Sequence, residues 1–109
     1  MNRLTGRRCI ITGASRGLGA SIARTFWSQG ASLFVVARTE GALNRLTDEL
    51  GERPGQRIHL LACDLADPET PGRIVEEARR ALGGVSVLVN NAGLQGPIGP
   101  VWENDWSQW

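Results

Sequence analysis

Residues 8–19, RCIITGASRGLG, run an apolar segment into three glycines within seven positions: Gly13, Gly17 and Gly19. Arg8–Thr12 reads as a short buried strand, so the glycines mark the turn at its end. A turn of this kind aims backbone N–H groups and a helix N-terminus at one point, which makes an anion site. Glycine lets a pyrophosphate approach without interference from a Cβ. The spacing is T-G-x-x-x-G-x-G, distinct from the dinucleotide pattern G-x-G-x-x-G. A structural turn also needs glycine, so the surrounding pattern has to decide.

That pattern alternates. Leu18–Gln29 carries Leu18, Ile22, Ala23 and Phe26 on one helical stripe, closed by Gly30. Ser32–Ala37 (SLFVVA) is continuous and β-branched, the signature of a strand covered on both faces. Glu40–Leu50 places Leu43, Leu46 and Leu50 at helical spacing before Gly51, and Glu52–Gln56 is a turn. Arg57–Cys63 (RIHLLAC) is a third strand. Pro68 and Pro71 open a third helix with Ile74, Val75, Ala78 and Leu82 on its apolar face, stopped by Gly83-Gly84. Ser86–Val89, with Asn90, gives a fourth strand.

A β-α-β-α-β-α-β run of buried strands and amphipathic helices implies an α/β fold with a parallel sheet covered by helices. Right-handed crossovers put the first two helices on one face and give strand order 3-2-1-4 if the third connection crosses back. The expected architecture is a three-layer, doubly wound Rossmann-type sheet that breaks off after its fourth strand. Its switch point lies between strands 1 and 4, where such sheets bind ligands. The glycine turn opens there, so it reads as a phosphate turn. Residues 93–109 change character: an irregular Gly/Pro loop precedes Trp102, Trp106 and Trp109 at i, i+4, i+7. They read as a severed helix start.

Composition narrows the chemistry further. The chain has 109 residues, enough for one domain, with a formal net charge of +1. That balance argues against a nucleic-acid or membrane surface, and no apolar run approaches the ~20 residues of a bilayer span. All twelve basic residues are arginine, and tyrosine is absent. A mechanism needing a Tyr hydroxyl or a Lys ammonium is therefore closed to this chain acting alone. Cys9 and Cys63 lack metal-ligand spacing and read as buried free thiols on strands separated by a third, too far apart to bridge. Reduced thiols suit the cytoplasm. The first 39 residues hold six arginines and no acid, as a mitochondrial presequence does. The fold pattern begins by Arg8, though, which leaves almost nothing to cleave.

The strand ends carry the remaining candidates. Strand 2 ends in Ala37, Arg38 and Thr39, where an acid would accept from a ribose diol. Arginine instead suits a 2′-phosphate, and Arg16 in the glycine turn is a second cation for it, favouring NADP over NAD. Asp64, after strand 3, can accept from an adenine amino group or cap the following turn. NNAG at 90–93 ends strand 4, with Asn side chains to tie strand ends and small residues leaving room for ribose and nicotinamide. His59, Trp27 and the Glu76-Glu77/Arg79-Arg80 run read as strand, packing and solvated-face residues.

Together, TGASRGLG at 12–19, Asp64 and NNAG at 90–93 resemble the short-chain dehydrogenase/reductase family. The resemblance covers the whole chain but only the N-terminal part of the family's domain. It implies a Rossmann-type NAD(P)-binding fold and alcohol–carbonyl hydride transfer on a small-molecule substrate. It assigns Gly13, Gly17 and Gly19 to the pyrophosphate turn, with Leu18 beside them, and Ser15, Arg16 and Arg38 to NADP-type phosphate contacts. Asp64 and Leu65 fall at the adenine, and Asn91, Ala92 and Gly93 at the ribose–nicotinamide end. The family's catalytic Asn, Ser and Tyr-x-x-x-Lys set lies downstream and has no counterpart here, so no catalytic residue and no metal ligand is assigned. Two functions are expected on this basis. One is the cofactor-binding part of an NADP-dependent oxidoreductase, inactive alone. The other is a non-enzymatic nucleotide-binding or interaction module, self-associating through the uncovered sheet.

Overall fold

The computed structural model describes residues 3–14, 17–64 and 66–89. The expected alternation appears in full as β1 (Arg8–Thr12), α1 (Gly17–Ser28), β2 (Ser32–Ala37), α2 (Glu40–Leu50), β3 (Ile58–Ala62), α3 (Thr70–Leu82) and β4 (Val87–Val89). The four strands form one sheet in the order β3-β2-β1-β4, and every pairing is parallel. β3 and β4 are shorter than the sequence suggests. Arg57 and Cys63 still share backbone hydrogen bonds with β2, through Leu33 N to Arg57 O (2.8 Å) and Cys63 N to Ala37 O (3.0 Å). They are the splayed ends of an outer strand.

The pleat divides the core in two. Cys9, Ile11, Leu33, Val35 and Ala37 point to one face, where they pack with Ala20, Ala23 and Trp27 of α1 and Leu43 and Leu46 of α2. Ile10, Phe34 and Val36 point to the other, against Ile74, Ala78 and Leu82 of α3 and Leu88 of β4. Period-2 alternation with both faces filled is what the unbroken apolar runs of β1 and β2 encode.

α1 departs from its expected stripe. Its buried residues are Gly19, Ala20, Ala23 and Trp27, with Ile22 and Phe26 partly covered, while Leu18 is 66% exposed. Small side chains let this helix lie close to the sheet, so position on the helix outweighs apolarity. Cys63 likewise falls just past β3 and is only half-buried, on the α3 face, whereas Cys9 is fully buried on the opposite face. Both remain free thiols.

Two sets of contacts close the N-terminal edge of the sheet. Trp27 donates its indole N–H to Leu50 O (3.2 Å), and its own carbonyl accepts from Arg53 Nη1 (3.0 Å) and Gln56 Nε2 (2.9 Å). Gln56 Nε2 also reaches Ala31 O (2.8 Å). On the other side of the sheet Arg8 N donates to Ser86 Oγ (2.9 Å) and Ser86 N to Arg8 O (2.9 Å). No described helix is long and apolar enough to cross a membrane.

Candidate functional site

Because all strands run one way, their C-terminal ends collect at one edge of the sheet. Thr12 is level with Val36, Ala37 with Ala62, and Val89 with Ile11. Neighbouring strands lie ~4.8 Å apart, so the ends of β3, β2 and β1 span about 10 Å. At this edge β1 opens into the glycine turn, β2 into Arg38, and β3 into Cys63 and Asp64.

The glycine turn is held at its start. Thr12 is fully buried and its hydroxyl donates to Val89 O across the β1–β4 junction (3.4 Å). Ala14, also fully buried, donates its N–H to Val36 O (3.1 Å), so the sheet ladder continues past Gly13. Gly13 and Gly17 have φ of 63° and 61°, the left-handed region that disfavours any Cβ. A Cβ built on Gly17 meets no atom of the described residues within 4 Å, so the start of α1 is open toward them. The first-turn N–H groups of a helix have no intrahelical partners and favour an anion there. Gly19, by contrast, is buried within α1, where a small residue permits the close approach to the sheet.

Arg38 is exposed just past β2, followed by Thr39, the N-cap of α2, whose side chain makes no capping hydrogen bond. Asp64 is exposed two residues past β3. Its Oδ1 accepts from Ala66 N (2.9 Å), which meets the turn-capping expectation and leaves Oδ2 without a hydrogen bond among the described residues. Asp64 O accepts twice, from Asp67 N (3.2 Å) and from the Thr70 hydroxyl (2.8 Å). Sequence reading passed over Thr70 and Thr12. Both act through hydroxyls bonded to backbone carbonyls, Thr12 to one 77 positions away and Thr70 to one six positions back, which residue type alone does not announce. Ser15, Arg16, Leu65, Asn91, Ala92 and Gly93 lie outside the described residues.

The remaining groups add no reactive side chain. Burial pushes the Cys9 thiol up to about 12, against the pull of Arg7. Burial also raises Cys63, with Arg73 opposing. Neither thiol is primed as a nucleophile. An open groove on the α3 face is lined by Phe34, His59, Leu60, Glu77, Arg80 and Ala81. Its carboxylate and guanidinium are both paired, Glu77 with Arg73 (2.7 Å) and Arg80 with Glu76 (3.2 Å). His59 is an exposed residue of the outer strand, and Trp27 packs in the core.

The short chain dehydrogenase family model matches residues 7–109. The chain belongs to that family. Among curated relatives it is 38% identical over 98 residues to 1-deoxy-11-beta-hydroxypentalenate dehydrogenase of Streptomyces arenae, covering 89% of this chain and 34% of that protein. It is also 38% identical over 94 residues to oxidoreductase UcpA of Escherichia coli K12, covering 86% and 35%. Among solved structures, L-sorbose reductase from Gluconobacter frateurii, complexed with NADPH and L-sorbose, superposes with a TM-score of 0.77 at 37% identity. That match covers 96% of this chain and 40% of the reductase. A hydroxysteroid dehydrogenase from Escherichia coli gives 0.76 at 39% identity, covering 87% and 40%. The chain thus spans 34% to 40% of the length of these four family members.

Proposed function

We propose that the chain is the NADP-binding part of an oxidoreductase that interconverts small-molecule alcohols and carbonyls by hydride transfer. The observation that carries this reading is the convergence at one sheet edge of the Gly13–Gly17 turn, Arg38 and Asp64. Fit is favourable: Gly17 leaves open space among the described residues at a helix N-terminus, and Arg38 stands on the neighbouring strand end. Family membership supports NAD(P) as the cofactor, and the NADPH complex of L-sorbose reductase supports the phosphorylated form.

In this reading Gly13, Gly17 and the first turn of α1, with Leu18 and Gly19, hold the pyrophosphate. Ser15, Arg16 and Arg38 hold the 2′-phosphate. Asp64 and Leu65 take the adenine end, and Asn91, Ala92 and Gly93 the ribose and nicotinamide. When bound, the nicotinamide supplies or accepts the hydride. The chain's own contribution is to bind and orient. With no tyrosine and no lysine it has no family-type proton donor of its own, so the 109 residues form a partial Rossmann domain that turns over nothing alone.

The same absence supports a second reading, a nucleotide-binding module without chemistry. Self-association would then proceed along the outer side of β4, which has a single neighbour among the described strands. A reduced, cytoplasmic setting fits both readings.

Fluorescence titration with NADPH and NADH tests cofactor choice. NADPH should bind more tightly, and Arg38→Ala should cut its affinity about tenfold, the worth of one charge-assisted contact, while leaving NADH nearly unchanged. Equal affinities for the two nucleotides in the unsubstituted chain would remove the NADP assignment. Carbonyl reduction by the purified chain would remove the non-catalytic one.

A further inference from the structure

We propose that Thr70 is a positioning residue for nucleotide-base selection, acting through Asp64; this rests on the chain being a nucleotide binder. Thr70 opens α3 and is 5% exposed, one of two buried polar residues in the described core. Its hydroxyl turns away from its own helix. A threonine near a helix start ordinarily bonds within three or four residues, whereas this one donates to the carbonyl of Asp64, six positions back. That carbonyl also takes Asp67 N–H, and Thr70 N donates to Asp67 O (3.0 Å). The connection between β3 and α3 is thereby drawn into a closed set of bonds whose hub is the Asp64 backbone.

The carboxylate is fixed from its own side as well. Ala66 N–H occupies Oδ1, which leaves Oδ2 of the exposed carboxylate without a hydrogen bond among the described residues. A carboxylate offers only acceptors. Facing a purine it favours an amino group at position 6 and disfavours a carbonyl there, where two acceptors would meet. Adenine is selected over hypoxanthine. N-cap Glu69 makes no side-chain capping bond, so helix initiation does not explain the buried hydroxyl. A valine of the same shape would fill the space without holding Asp64.

The test titrates the 109-residue chain with NADPH and with reduced nicotinamide hypoxanthine dinucleotide phosphate. The unsubstituted chain should prefer the adenine form. Thr70→Val should narrow that preference about fivefold, the equivalent of one ordinary hydrogen bond. Thr70→Ser keeps the hydroxyl and should restore the preference. Amide exchange at Ala66 should quicken in Thr70→Val and not in Thr70→Ser. If Thr70→Val weakens both nucleotides equally and keeps their ratio, its role is structural only and the proposal falls while nucleotide binding stands. A chain that binds neither nucleotide overturns the nucleotide-binding reading, and this one with it.

Discussion

Replacing Gly17 and Gly72 separately by alanine should move stability in opposite directions, although both sites are open. Among the described residues a Cβ meets nothing within 4 Å at either position, so clash with them is removed from the comparison. At Gly17 the backbone sits at φ 61°. An L-residue there costs about 1–2 kcal/mol, which outweighs the entropy that alanine removes from the unfolded chain. At Gly72 the backbone is part of α3. Alanine there should add roughly 0.5–1 kcal/mol, toward the lower end because the site lies in the first turn. With that entropy gain subtracted at Gly17, the two variants should differ by about 1–2 kcal/mol. For a domain near this size each kcal/mol is worth about 4–8 °C in Tm. Urea unfolding followed by far-UV circular dichroism reads both values, with Gly17→Ala below the parent and Gly72→Ala above it. Shifts of the same sign would show that backbone conformation is not what the turn glycine supplies.

Other expected outcomes rest on burial. Ile74 is fully buried and anchors α3 to the sheet, so Ile74→Ala should cost about 2–5 kcal/mol, read from the urea midpoint. Cys9 gives stability an alkaline limit. Below its ordinary 9.0 the thiol is protonated whether the chain is folded or not. Between 9.0 and about 12 the unfolded chain loses that proton while the folded one keeps it. Stability should therefore fall as pH rises through that window, by at most about 1.4 kcal/mol per pH unit. Cys9→Ala should flatten the slope, leaving the smaller contribution of Cys63.

How far the sequence could be read depended on how local each cause was. α2 has the bounds its leucine spacing and flanking Gly51 imply, because both signals sit inside the element. β2 was legible as a doubly covered strand because α1 and α2 fill one of its faces and α3 the other, as the unbroken SLFVVA run requires. α1 was misjudged in its first turn. Leu18 is apolar yet exposed, because the start of the helix stands at the sheet edge, where little is available to cover it. The sheet-edge placement of Gly13, Arg38 and Asp64 was legible because parallel topology alone gathers strand ends. Not legible were the side chains that seek a particular backbone carbonyl, as Thr12 does across the sheet to Val89 and Thr70 six positions back to Asp64.

The order β3-β2-β1-β4 also orders the assembly of the chain in time. The bonds that fasten α1 to α2 and to the turn before β3, centred on Trp27, close loops of 23 to 29 residues. Those that seat β4 beside β1, from Arg8 to Ser86 and from Thr12 to Val89, span 78 and 77 residues. Closing the longer loop costs more entropy and must wait for all of α3 to emerge. Three strands can therefore associate during synthesis while β1 still presents a bare flank. Strand β4 fills that flank, and its late arrival completes the hydrogen bond from Thr12 behind the glycine turn.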